Sequence, residues 1–217
     1  MDLLGRETWG EYMIPVQPQP EPDDFQGKVC VPGQRFLQRS TFPISNWGGQ
    51  DHWRSCIDDL RKAYGSVCAY SCHWIPGDQL ATVDHFIPKC ADPQQAYRWD
   101  NYRLASQLMN SRKWTYRDVL DPFTLPQGWF ILDFPSLLVR PNPDLPSLAR
   151  EQVLATRARL KLNDETYVGA RQEWLELFFR VKDIAWLYQH APFIAQELDR
   201  QGLVDTIAAI MQRRPQP

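Results

Sequence analysis

Three short stretches decide how this chain is read: ATVDHFIPK (81–89), WDNYRLA (99–105) and MNSRK (109–113). The run Leu80 to Ile87 is apolar and strand-like, and so is Val67 to Ile75 before it. Pro76-Gly77-Asp78 between them is a good turn, so the pair reads as a β-hairpin. A loop follows from Pro88 to about Tyr97. Asn101 to Trp114 then reads as a helix, with Leu104, Leu108 and Met109 toward its buried side. Polar residues fall at telling points of this hairpin–loop–helix order. Asp84-His85 ends the second strand, Asn101 opens the helix, and Asn110 lies nine residues on, with Arg112 and Lys113 just beyond.

Outward from this unit, residues 1–28 are polar and proline-rich (PVQPQPEPDD) and read as a flexible extended arm. Asp51 is placed to cap a helix running to about Tyr64, with Trp53, Ile57, Leu60 and Tyr64 at helical spacing and Gly65 as its stop. Downstream, Trp129 to Val139 is apolar and extended. Ser147 caps a helix to about Leu160, and Asn163 or Asp164 caps another to about Arg180. Ile184–Gln201 and Leu203–Arg213 read as two further helices. The class is therefore α+β, with three parts: the arm (1–28), a core with its preceding helix (29–120), and a mainly helical C-terminal region (121–217).

Bulk properties bound the function. With 217 residues, 43% hydrophobic content and nine tryptophans, the chain can bury an aromatic-rich core without covalent staples. The net charge of −2 is not the footprint of a general nucleic-acid binder. A local patch can still steer a polyanion. Arg98, Arg103, Arg112, Lys113 and Arg117 face only Asp100 and Asp118 between positions 98 and 118. No apolar run approaches the roughly 20 residues of a membrane span. The N-terminus lacks a secretory signal, and five cysteines, an odd number, read as reduced cytoplasmic thiols.

The residue types suit phosphodiester hydrolysis, which needs an activated water, positive charge on the phosphate and help for the leaving oxygen. A histidine at a strand end can take a proton from water near neutral pH, the role expected of His85. Asp84 is a hard oxygen ligand suited to Mg²⁺ or Mn²⁺. Adjacent residues of a regular strand point to opposite sides, so a centre shared by Asp84 and His85 requires the backbone to bend there.

Taken in order, the three stretches resemble the "DH-hydrophobic-x-P", "N-x-x-hydrophobic" and "N-x-x-K" elements of the HNH, or ββα-metal, endonucleases. The resemblance covers Val67 to Lys113. It implies that His85 is the general base, that Asp84 and Asn110 hold one divalent metal, and that Asn101 bonds loop backbone and so orients His85. Arg112, Lys113 and Arg103 become the expected nucleic-acid contacts. Looser similarity from VLDPF through GWFILDFPSLLVRPNP to RLKLND links the chain to bacterial anti-phage defence proteins such as the nuclease subunit of Septu, and hence to an ATPase partner.

The chain departs from the family pattern at one place. The structural zinc that many HNH proteins hold with two Cys-x-x-Cys pairs is not expected, because Cys68 and Cys72 are too widely spaced and Ser106 and Met109 stand near the second pair. A zinc site from Cys68, Cys72, His73, His85 and Cys90 is the competing use of those side chains. Three other functions stay open: an RNase or tRNA-cutting toxin on the same fold, a non-catalytic nucleic-acid-binding module, and a subunit silent until a partner presents the target.

Overall fold

The computed structural model of the chain describes residues 16–77 and 79–207. Its class is α+β. Helices α1 (Val31–Arg39) and α2 (Ile57–Ala63) precede strand β1 (Ala81–His85). Strand β2 (Tyr102–Ser106) and helix α3 (Gln107–Lys113) follow. A second ribbon comprises β3 (Phe130–Asp133) and β4 (Leu138–Pro141), and α4 (Ser147–Arg159), α5 (Glu165–Val181), α6 (Ile184–His190) and α7 (Pro192–Arg200) follow.

The first ribbon differs from the expected hairpin. Strand β1 pairs antiparallel with β2, from Ala81↔Ser106 to His85↔Tyr102, across the whole intervening loop. The run 67–75 instead folds back on itself through a single Val67↔Trp74 bridge. Its Ala69 N–H donates to the Leu104 carbonyl at 2.8 Å, so it docks on β2 rather than on β1. Residues 102–106 were expected to be helical. They are strand because both faces are covered: Tyr102 to Ala105 are all buried, which erases the alternation that marks a half-buried strand. Leu104 and Leu108 then mimic a helical i, i+4 pair, although Leu108 is exposed. The helix starts only at Gln107, where the Ser106 hydroxyl accepts the Met109 N–H.

The proline-rich segment is not a free arm over its described part. Phe25 and Val29 are fully buried. The Phe25 ring meets Trp99 and Tyr102 edge-on at 5.6 and 5.9 Å. The Trp99 indole donates to the Gln19 carbonyl at 2.7 Å. Residues 1–15 of the expected arm lie outside the described residues.

Helix α2 follows a short 3₁₀ turn (His52–Cys56), and Gly65 at φ +57° ends this helical stretch. Downstream, Asp164 caps α5 through the Tyr167 N–H. Ser147 begins α4, but no side chain caps it. Most of the expected helix 203–213 lies outside the described residues. The second ribbon is clamped by α5 and α7: Arg171 donates to the Leu137 carbonyl at 2.8 Å, and Glu197 accepts the Leu132 N–H at 2.8 Å. Buried residues from Phe25 to Ile207 form one core cluster, so residues 29–120 pack with the described part of the C-terminal region, 121–207.

Candidate active site

The end of β1 is where the singled-out residues gather, and they fall on two faces. His85 is 8% exposed, and its ring lies edge-on to Trp53 at 4.7 Å and to its cross-strand partner Tyr102 at 5.3 Å. Its Nε2 sits 2.9 Å from the Ala96 carbonyl. A carbonyl only accepts, so that nitrogen carries the proton and Nδ1 keeps the lone pair. Among the described residues Nδ1 has no hydrogen-bond partner. Burial lowers the His85 pKa to about 3, helped by the charges of Lys89 and Lys113, so the ring is neutral at physiological pH.

The loop that supplies the Ala96 carbonyl is held from inside. The Asn101 amide accepts the Ile87 N–H at 2.7 Å and donates to the carbonyls of Ile87 and Gln95 at 3.0 Å each. One side chain thus staples both ends of the loop. The Tyr102 hydroxyl also donates to the Ala96 carbonyl, at 2.8 Å.

Asp84 lies on the opposite face. The ladder stays in register through His85↔Tyr102, so the bend required for a shared pocket does not occur between Asp84 and His85. Asp84 is 2% exposed. Its Oδ2 accepts the Tyr70 hydroxyl at 2.5 Å and stands 3.8 Å from the Lys113 ammonium. Burial raises the Asp84 pKa, opposed by Lys113 and Tyr70, and lowers that of Lys113. Asn110 reaches the same ribbon, donating to the Thr82 hydroxyl at 2.9 Å and the Val83 carbonyl at 3.2 Å. Lys113 ties the two faces together, donating to the carbonyls of His85 and Phe86 at 3.2 and 2.7 Å.

The expected metal ligands can be judged on their donors. Asp84 Oδ1 and the Asn110 amide oxygen accept no hydrogen bond from any described residue, while the other polar atom of each side chain is pinned. A carboxylate and an amide oxygen held in this way fit a hard cation in kind. Asp84 is buried and Asn110 half-buried. Among the described residues no three His, Cys, Asp or Glu side chains converge on a point.

The three expected nucleic-acid contacts need correction. Arg103 is 3% exposed, paired with Asp121 at 2.7 Å, bonded to the Asp100 and Tyr102 carbonyls, and stacked on Phe123. Lys113 is completely buried. Arg112 is taken up by Asp164 and by the carbonyls of Leu160 and Lys161, both at 3.3 Å. All three satisfy acceptors that their own fold creates, and the buried charges of Arg103 and Lys113 are retained only because they are so paired. The sequence reading also passed over Tyr70 and Lys89. Nothing in the chain marks Tyr70, since only the fold-back of 67–75 brings it to Asp84. Lys89 had a signal, a cation directly after Pro88 within the 81–89 stretch.

Compared with family models and with curated proteins, the chain matches none.

Proposed function

We propose that the protein is a metal-dependent endonuclease of the HNH type that hydrolyses phosphodiester bonds in DNA. The observation that carries this reading is the setting of His85. A neutral imidazole stands at a strand end with one nitrogen fixed by a loop carbonyl and the other carrying a lone pair, and Asn101 fixes the loop. A general base for water must be proton-free at working pH and held in place, and His85 is both, although its burial makes it a weaker base than the near-neutral imidazole that such catalysis favours. The strand–loop–strand–helix order and the resemblance noted above agree with it.

In this mechanism His85 Nδ1 takes the proton of a water attacking the phosphorus, and the proton acquired makes the ring an imidazolium. The Ala96 carbonyl, which accepts from Nε2, stabilises that charge. A magnesium or manganese ion would supply Lewis acidity toward the phosphate and the leaving oxygen; Asp84 and Asn110 are the ligands the resemblance gives it, but they lie on the face of β1 opposite His85, and an ion held there would serve the same phosphate only if the strand end turned. Lys113 fixes the strand end by bonding the His85 and Phe86 carbonyls, and acts by position. The five cysteines, all free of disulfides, suit a reducing compartment such as the cytoplasm. No helix among the described residues is long and apolar enough to cross a membrane. Anti-phage defence with an ATPase partner is the biological setting we infer from the looser resemblance.

The test is cleavage of supercoiled plasmid and of RNA by the purified full chain with Mg²⁺, Mn²⁺ or EDTA. Metal-dependent nicking that falls at least ~100-fold in His85→Ala, a typical loss for a general base, is the expected result. Cleavage unchanged in the variant would sink the assignment. Cleavage of RNA alone would move the reading to a ribonuclease.

A further inference from the structure

The cations expected to meet the substrate are all spent inside the fold, yet one on the His85 face is not. Lys89 lies in the loop after β1, half-buried. Its ammonium sits 4.8 Å from the centre of the Trp53 ring and 5.7 Å from that of Trp47. Trp53 is the same ring that lies perpendicular to His85 at 4.7 Å between centroids. The ammonium and the imidazole are therefore neighbours across a single indole. Among the described residues Lys89 forms no hydrogen bond and no ion pair. Cation–π contact compensates part of its desolvation but leaves its N–H donors unused. Burial lowers its pKa, so the site already holds this charge at a cost that an anion would relieve.

We propose that Lys89 is the phosphate-binding residue of the His85 face, donating from its ammonium to a non-bridging oxygen of the nucleic-acid backbone beside the bond to be cut. The inference rests on the nuclease reading above. A phosphate is the anion that reading brings to His85, and an ammonium seated on an aromatic face is held without being consumed. Trp47 and Trp53, which pack at 6.0 Å from each other, then serve as the platform that aims it. Arg54, another cation that Lys89 feels, is already paired with Asp51 at 2.8 Å.

The experiment is fluorescence anisotropy of labelled single-stranded and duplex DNA and of RNA with the full chain in EDTA, over a range of salt. Wild type is compared with Lys89→Gln, Lys89→Arg and His85→Ala, and the same proteins are assayed for cleavage with Mg²⁺. Lys89→Gln should weaken binding roughly five- to tenfold at 0.1 M salt and lower the slope of log K against log salt by about one. Lys89→Arg should keep most of both, and His85→Ala should bind normally without cutting. Wild-type affinity and slope in Lys89→Gln, with His85-dependent cleavage intact, would overturn the inference and leave the nuclease standing. Weakened binding in Lys89→Gln with full cleavage in His85→Ala would sustain Lys89 and overturn the catalytic reading. Absence of any nucleic-acid binding by wild type would overturn both.

Discussion

His85 and His73 carry imidazoles that burial holds neutral, each with its pKa lowered to about 3, and their titration gives a signature at the level of single residues. Above pH about 6.5 both are neutral whether the chain is folded or not, and neither affects stability. As pH falls below 6.5 the unfolded chain takes up protons that the folded one refuses. Stability is therefore lost progressively as pH falls from about 6.5 toward 3. Urea denaturation between pH 8 and pH 4 should show this loss, and His73→Phe should remove part of it without touching cleavage. Cleavage itself should show no histidine ionisation near 6.5; an acid limb centred there would contradict a buried neutral base. Asn101 acts through others. Asn101→Ala should cost about 2–3 kcal/mol for its buried hydrogen bonds and reduce cleavage strongly while leaving DNA affinity near wild type. A proportional loss of binding would instead make Asn101 a substrate contact.

At the scale of elements, the β1–β2–α3 unit is held by charges turned inward. Arg103 clamps β2 to the segment carrying Asp121, and Arg112 clamps α3 to the turn between α4 and α5. Breaking the Arg103–Asp121 pair by Arg103→Ala should cost ~3 kcal/mol, because a half-buried carboxylate loses its counter-ion and the Asp100 and Tyr102 carbonyls lose a donor. Its salt slope for DNA should not change, in contrast to Lys89→Gln, and denaturation and anisotropy on the same two variants separate the roles. These elements also show where local reading works. The Asp164 cap of α5 was legible because a cap is a contact three residues long. The split of 101–114 into strand and helix was not, because Tyr102 to Ala105 are buried on both sides and carry no period to read.

For the whole molecule, the N-terminal segment and the C-terminal helices share one core with the candidate site. Phe25 packs on Tyr102, whose hydroxyl bonds the same Ala96 carbonyl that holds His85. Phe25→Ala should cost about 3–5 kcal/mol, and it should also slow cleavage although Phe25 touches no substrate. Thermal unfolding followed by tryptophan fluorescence and by circular dichroism should give one coincident transition. Two separated transitions would show that the parts 29–120 and 121–217 fold independently.

By itself the sequence determined the α+β class, the helical C-terminal region, and the identity and order of Asp84, His85, Asn101 and Asn110, because spacing along the chain and residue chemistry are local properties. The tertiary structure decided which strand β1 pairs with, that Asp84 and His85 face opposite ways, and which cations are free. Charge is written in the sequence, but its availability is not. Arg103, Arg112 and Lys113 are consumed by acceptors that the folded chain brings to them from up to 52 residues away. Lys89 is left on its indole because no carboxylate or carbonyl of the described fold comes within hydrogen-bonding reach.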